Sequence, residues 1–595
     1  MMNRWLLLVG TVQGWVLWAL WKARELSVWP SNDIAAERAL LYMALAMPLA
    51  FYLTQSVESL SRKRRRNILI SIGIVFALLG AYSGWAENAP HEIWRSAWRL
   101  FSGRPSDLFA AAILGFVAIP LCVHFNFTAR RWSYHALFET SWRNALLTGS
   151  SAALTGVFWI VLFAGAMLMK SIGINFIFNL IEKPIFAIPA TGIAFAAAFA
   201  LGLARFGMIV TLRRFWLSIS SWLLPLLLAF SAMWAIALPF TGLELLFKTH
   251  NAGFVLLWFI ALSVNFANAA YQDGTGEQPY AHWLGRLLEY AWLSLLVLAG
   301  VAWWAMQQRI AQYGWTEDRV WGIFVLVLAT LYTVGYSYSL RLRHAWLAHI
   351  GTTNIATALV MCAGLALLLS PLADARRIAV ISQMSRITSG AVEADKIDYA
   401  YLRWQAGRYG QDALKNLSAG IDHKDRDIIA AKAKQTLAQE NRYATADGAK
   451  ALTTEQLRLR FRVLPKGSVL DESLLKAIQN KPRWETKRCL AIDAQCIAWM
   501  IDLNGDGLKE ALLIAEKPEW QFGNAVFFRH LPNGQFQYGG TINLQFGTNK
   551  VQRENIISDI ESGRAKTIPP QYNDLEIGGR RISVAETQCE NGCED

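Results

Sequence analysis

Eleven apolar stretches of about twenty residues precede position 375, and no other feature restricts the fold so strongly. A helix rises about 1.5 Å per residue, so about 20 apolar residues cross a hydrocarbon core. With no water there to bond an open backbone, helix is the form such runs must take. They lie near 5–21, 38–58, 67–86, 108–126, 149–169, 184–204, 219–240, 252–271, 287–306, 319–339 and 352–371. The pattern predicts a polytopic α-helical membrane bundle of about 11 spans, with the runs at Pro184 and Pro225 broken or re-entrant. Met1-Met2-Asn3-Arg4 leads into the first run without a small-residue cleavage site, so that helix is expected to stay as an anchor.

Composition agrees: of 595 residues 54% are hydrophobic and 17% charged, with 26 tryptophans, too apolar for an ordinary soluble enzyme. The net charge of +13 comes from short basic clusters between apolar runs. These read as topology signals and headgroup contacts, so the lipid bilayer is the partner and nucleic acid is not. Arg62-Lys63-Arg64-Arg65-Arg66, in a short loop, resists translocation and is expected in the cytoplasm. Arg130, Arg131, Arg213, Arg214, Arg341 and Arg343 fall on that side, and Lys170, Lys183 and Lys248 opposite. Lys22, Arg24, Arg95, Arg99 and Arg104 run against the bias. Eleven crossings put the amino terminus inside and everything after about 375 in the periplasm of a bacterial inner membrane; one span more or fewer reverses the second assignment.

From Asp374 charges become frequent and no run is long enough to span. Residues 1–374 form the predicted transmembrane domain, 375–456 a helical juxtamembrane segment, and 457–595 a strand-rich domain, together a soluble α+β region. Helical spacing covers Tyr399 to Leu417 and Asp427 to Gln439. Strand alternation covers Leu457 to Val463, Ala525 to Phe528 and Phe536 to Tyr538, the last after the turn Pro532-Asn533-Gly534.

Four segments carry a likeness: Tyr313-Gly314-Trp315-Thr316-Glu317-Asp318-Arg319-Val320-Trp321, Ser370-Pro371-Leu372-Ala373-Asp374-Ala375-Arg376-Arg377-Ile378-Ala379-Val380, Ser382-Gln383-Met384-Ser385-Arg386-Ile387, and Asp398-Tyr399-Ala400-Tyr401-Leu402-Arg403-Trp404. In their order within a long polytopic region they resemble the bacterial inner-membrane family known as domain of unknown function number 4153. The resemblance implies the membrane architecture and the first helices beyond it. It implies no activity and no functional residue.

Ile501 to Ile514 reads IDLNGDGLKEALLI, with Asp502, Asn504 and Asp506 at alternate positions, then Gly507, Leu508 with a carbonyl to lend, and Glu510. Oxygens so spaced can converge on one hard cation, so the loop is a candidate for structural calcium. The helix-loop-helix form is disfavoured, because its twelfth position is Leu513 and the flanks look like strands. The alternative is a β-hairpin whose turns happen to be acidic.

Of six cysteines, Cys122 and Cys362 lie in spans and read as small hydrophobes, whereas Cys489, Cys496, Cys589 and Cys593 lie in the tail. Two disulfides are expected, 489 with 496 and 589 with 593 on proximity; a four-cysteine zinc site is the rival with poorer spacing. In the spans, Glu58, His124 and Glu289 lie near interfaces, where snorkelling accounts for them. Asn265 and Asn268 are three apart on one helical face, and with Asn354 they form a candidate intramembrane polar site, read chiefly as packing.

No G-x-x-x-x-G-K-[ST], G-x-S-x-G or H-E-x-x-H occurs, Gly274-Thr275-Gly276 lacks a third glycine, and His91-Glu92 is a lone pair. No catalytic or cofactor-binding residue is therefore assigned, although Asp107, Glu317 and Asp318 are outer-side carboxylates of the kind membrane transferases use. The function expected is movement or handling of a small molecule, lipid or envelope precursor, for which Pro184, Pro189, Pro225 and Pro239 would break helices. The alternative is a membrane-anchored sensor or envelope scaffold.

Overall fold

The computed structural model describes residues 4–57, 59–87, 105–243, 252–274, 279–338, 349–394, 396–439, 454–465, 467–480, 489, 496–515, 524–543, 557–568, 575–577 and 580–582. The chain forms two compact units, Met1–Ala438 and Gln439–Asp595.

In the first unit α1 (Arg4–Glu25), α2 (Ile34–Gln55), α3 (Arg62–Glu87), α4 (Pro105–His124) and α5 (Tyr134–Ser171) are followed by a single short helix, α6 (Phe176–Ile181). Then come α7 (Pro184–Ala204), α8 (Phe206–Thr241), α9 (Ala252–Tyr271), α10 (His282–Trp292), α11 (Ser294–Tyr313), α12 (Glu317–Tyr338) and α13 (Ile350–Leu368). Among the described residues 11 helical segments are long and apolar enough to cross a membrane, with α10 and α11 counting as one. Large apolar side chains such as Trp222, Phe240 and Phe254 stay exposed on their outer faces, as a surface meeting lipid requires.

The prolines act differently from expectation. Pro184 occupies the first turn of α7, where its missing N–H costs nothing, and Pro225 sits inside the unbroken 36-residue α8. The interruption falls instead at Leu293, between α10 and α11, where no proline stands.

Among the described residues two large apolar cores hold the bundle, beside smaller clusters. One gathers α1 to α5, α7 and the end of α13 around Tyr52, Leu53, Phe76, Ile119, Leu147 and Phe199; the other gathers α8 to α12 around Leu228, Ile260, Leu295, Leu326 and Tyr336. Close approach rests on small residues spaced four apart, since lipid tails give helices no hydrophobic reason to associate. A Cβ on Gly10 would lie 2.6 Å from the Gly192 carbonyl of α7, and one on Gly84 would lie 2.4 Å from the Ile34 carbonyl of α2.

Helices α14 (Ala375–Thr388), α15 (Tyr399–Trp404), α16 (Gly407–Ala419) and α17 (Arg426–Ala438) belong to the same unit and have their own core around Leu402, Leu414, Leu417 and Ile429. Gly407, at φ +59, places its backbone against the carbonyl of Ala86 at the end of α3, so any side chain there would collide.

The second unit contains α18 (Thr454–Arg458), β1 (Phe461–Leu464), α19 (Glu472–Asn480), β2 (Cys496–Ile501), β3 (Glu510–Ala515), β4 (Asn524–His530), β5 (Phe536–Asn543), β6 (Leu575–Ile577) and β7 (Arg580–Ile582). The sheet order is β1-β2-β3-β4-β5, with β1 and β2 parallel and the other pairs antiparallel; β6 and β7 form a separate pair. Alternation sorts its faces: Ala498, Met500, Ala511 and Leu513 pack under Leu457, Leu474 and Ile478, while Ile497, Leu512 and Ile514 pack with Ile560. The expected strand from 457 is shorter than its alternation suggested, because Thr454–Arg458 is helical and pairing begins at Phe461.

Candidate functional site

The first structural feature is a group of buried charges at one end of the bundle, opposite Arg62 to Arg66. There α1 ends, α2 begins, α3 ends, and α4 and α12 begin, so five helix termini bring polar residues together. Arg24 pairs with Glu37 at 3.0 Å and Arg38 with Glu87 at 3.5 Å. The cations that ran against the charge bias thus include one held by a buried carboxylate.

Beside these pairs lies Asp374, 2% exposed, which caps α14 through the Arg376 amide at 2.7 Å. The Arg376 guanidinium meets the same carboxylate through Nε at 3.0 Å and Nη2 at 2.6 Å, and Tyr82 donates to it at 2.7 Å. Burial alone would raise the Asp374 carboxyl, but the hydrogen bonds and charge of Arg376, with the Tyr82 hydroxyl, hold it below the usual carboxylate range. Burial opposes the charge on Arg376, and the Asp374 carboxylate, with Asp107 beyond it, outweighs that and raises its pKa.

Arg376 borders a small chamber of ≈10 Å³, lined also by Tyr42, Tyr82, Ser83, Asp107 and Glu317. That is room for about one water. Tyr401 of α15 donates to Glu317 at 3.0 Å, and Tyr409 of α16 meets Tyr82 at 3.0 Å, so α15 and α16 supply the chamber's outer partners. Arg376 Nη1 is buried and has no hydrogen-bond acceptor among the described residues.

The second feature is an apolar cavity of ≈700 Å³ between α1, α2, α3, α4, α5 and α7, within the usual size of ligand sites. Its wall includes Leu49, Phe76, Leu108, Ala112, Ile119 and Phe195, with Gln13, Tyr42, Tyr52, Trp159 and Thr191 as polar exceptions. From Leu108 to Ile119 it follows α4 for about 16 Å, roughly half a bilayer core. Tyr42 lines both this cavity and the polar chamber. A second apolar recess of ≈600 Å³ between α1 and α2 borders Gln13 without reaching the chamber.

The residues singled out from sequence fall in several places. Asn268 and Asn354 meet: Asn354 Nδ2 donates to Asn268 Oδ1 at 2.5 Å and to Tyr134 Oη at 2.9 Å, and its Oδ1 accepts from Tyr336 at 2.6 Å. Asn265 is exposed on another part of the same helix. The bonds tie α5, α9, α12 and α13 together, as interhelical glue does. His124 shares a hydrogen bond of 2.7 Å with Thr140, and Glu58 lies outside the described residues.

In the second unit Cys489 and Cys496 form a disulfide, with sulfurs 2.04 Å apart, whereas Cys589 and Cys593 lie outside the described residues. The 502–510 loop is a hairpin between β2 and β3. Asp502 accepts from the amides of Gly505 at 2.7 Å and Gly507 at 2.9 Å, and Asp506 from that of Leu508 at 2.7 Å. Asn504 donates to Asp506 at 2.8 Å, and buried Glu510 accepts from Leu503 N at 2.8 Å. The side-chain oxygens thus serve the turn's own amides, and among the described residues no group of three or more His, Cys, Asp or Glu side chains could hold a metal ion.

Asp107 and Glu317 were visible in the sequence as outer-side carboxylates. Tyr82, Asp374 and Arg376, which line the same chamber, were not, although Glu317, Asp374, Arg376 and Tyr401 all stand in the segments that carry the family likeness. Those segments also bind one another: Ser382 Oγ accepts from Trp315 N at 3.0 Å, and Gln383 donates to the Trp315 carbonyl at 3.1 Å. No curated protein matches the chain, and no solved structure does. A family model matches residues 59–417, more than half of the chain and all of the chamber except Tyr42, and the protein belongs to the family described as Domain of unknown function (DUF4153).

Proposed function

We propose that the membrane unit handles an amphiphile, holding its hydrocarbon chain in the cavity between α1, α2, α3, α4, α5 and α7. One observation carries this reading: an almost wholly apolar cavity of ≈700 Å³ shares a wall residue, Tyr42, with a polar chamber at the membrane end of the bundle. Apolar surroundings with a few convergent polar groups are the general character of ligand sites, and this order suits a molecule with a tail and a head. An ion or sugar would find few partners along a wall that is apolar apart from Gln13, Tyr42, Tyr52, Trp159 and Thr191. Lipid or an envelope precursor is therefore the favoured cargo class, and movement of it across the bilayer is the fuller form of the proposal.

Filling the cavity tests this. Ala112→Trp places an indole among the lining residues, and mass spectrometry of the purified protein should show several-fold less retained chain-bearing lipid than wild type. A folded A112W protein with unchanged retention would remove the support.

The compartment of the second unit belongs to the same proposal. Five consecutive cations at 62–66 favour a cytoplasmic loop, and the Cys489–Cys496 disulfide favours an oxidising space such as a bacterial periplasm for the tail. In intact cells a membrane-impermeant thiol reagent should label these cysteines only after reduction by an impermeant reductant. Labelling that needs broken cells would put the tail in the cytoplasm.

A further inference from the structure

We propose that the start of α3 and the turn between α4 and α5 form one recognition face for the headgroup of an anionic phospholipid, with Arg62, Lys63, Arg66, Arg130 and Arg131 set around the ring of Phe127. The proposal is independent of the chain cavity.

The five consecutive cations at 62–66 divide into two sets. At 100° per residue on α3, positions 62, 63 and 66 share one side of the helix and positions 64 and 65 the other. Arg64 Nη2 donates to the carbonyls of Cys122 at 2.9 Å and Phe125 at 2.6 Å, and Arg65 Nη2 to those of Thr54 and Val57, each at 3.4 Å. These carbonyls close α4 and α2, where the last turn of a helix lacks amide partners and favours a cation. Arg64 and Arg65 therefore hold α3 to its neighbours. Arg62, Lys63 and Arg66 are exposed, and their side chains have no carboxylate or hydrogen-bond partner among the described residues.

The turn is built as firmly. Asn126 Oδ1 accepts from the amides of Thr128 at 2.9 Å and Ala129 at 3.0 Å, and its own amide donates to the Arg131 carbonyl at 3.0 Å. Trp132 donates to the Leu121 carbonyl at 3.0 Å and packs on Phe125, their ring centres 4.8 Å apart. This leaves Phe127 71% exposed and Arg130 and Arg131 exposed, again without side-chain partners among the described residues. The turn abuts α3, because the Arg64 that bonds the Phe125 carbonyl also lies over the Phe127 ring at 5.1 Å.

Spanning segments close here at Gln55 and His124 and open at Arg62 and Tyr134, so the face lies at the depth of lipid headgroups. The carboxylates of Glu139 and Asp273 lie 3.9 Å and 2.9 Å from His135, away from the five cations in their pairing. Like charges gathered at a membrane boundary call for counter-charge, and lipid phosphate supplies it at that depth, while an exposed aromatic ring seats among headgroups.

The test is native mass spectrometry of the full-length protein in detergent, titrated with phosphatidylglycerol or with phosphatidylcholine of the same chains. First-lipid adducts are expected at about fivefold lower phosphatidylglycerol than phosphatidylcholine, as several surface cations would produce. Neutralising all five cations together (R62Q, K63Q, R66Q, R130Q and R131Q) should abolish the preference, and the exposed pair R130Q with R131Q should lower it partway, with phosphatidylcholine adducts unchanged in both. Ala112→Trp, which fills the chain cavity, should keep the preference. Equal binding of the two lipids by wild type, or a preference that survives in both charge variants, overturns the proposal. Loss of the phosphatidylglycerol adducts to millimolar glycerol 3-phosphate would also overturn it, by showing a site for a free phosphate ester.

Discussion

Replacing Arg376 with methionine is expected to destabilise the membrane unit by about 3–5 kcal/mol, the usual cost of stranding one member of a buried ion pair. Asp374 would keep its bonds from Tyr82 and from the residue 376 amide but lose the guanidinium on both oxygens. Replacing both partners, Asp374→Asn with Arg376→Met, should recover a large part of the loss, since neither member of the pair is then left as a lone buried charge. The pH dependence has a definite sign. In wild type the Asp374 carboxyl is held below its ordinary value, so its contribution is complete above the unfolded carboxyl pKa of about 4 and is lost only as pH falls through the lower folded value. In R376M burial is opposed only by the bonds from Tyr82 and the residue 376 amide and the carboxyl is expected to rise, so the defect should be largest at pH 8 and shrink as the pH is lowered to 5. Thermal unfolding in mild detergent reads both effects. A single-variant cost below about 1 kcal/mol would mean that the pair is not what fixes α14 against the bundle.

Gly84→Leu should be more damaging still in yield, because its side chain has nowhere to go. A Cβ at this position lies 2.4 Å from the Ile34 carbonyl and 2.8 Å from Ala35 Cα, both backbone atoms that cannot rotate away. Helices α2 and α3 would have to separate, loosening the Arg38–Glu87 pair nearby, at a cost of about 3 kcal/mol or more. The control is Gly156→Leu in α5, where nothing lies within 4 Å of the added Cβ and the residue is exposed. The recovered monodisperse fraction after detergent extraction should collapse for G84L and match wild type for G156L. Equal recovery of the two would contradict the close α2–α3 packing.

The spans were legible because bilayer thickness imposes a length and a polarity that hydropathy reads directly. Eleven expected runs correspond to 11 spanning segments. Helix interruptions were less legible. Pro225 is absorbed in α8, whose freed carbonyl neighbouring helices and local adjustment can satisfy, whereas the break at Leu293 carries no sequence mark. In the tail, strands flanking the 502–510 loop and the Cys489–Cys496 pair followed from alternation and proximity. The polar chamber was only half visible: Asp107 and Glu317 stood out as outer-side carboxylates, but Tyr82 and Asp374 meet across 292 residues of sequence. No periodicity reports a contact at that separation. The apolar cavity left no sequence trace at all, because its lining residues are of the same types as those that pack tightly or face lipid elsewhere.

The most direct test of a chain-binding cavity is photo-crosslinking with a fatty alcohol that carries a diazirine at mid-chain, followed by peptide mapping of the full-length protein. Adducts are expected on α4 between Leu108 and Ile119 and on α7 between Ala187 and Phe195, and they should be lost in Ala112→Trp. Adducts confined to outward-facing residues such as Phe109, Ile160 and Phe240, equal in wild type and A112W, would show that the chain only bathes the bundle and that the cavity holds nothing.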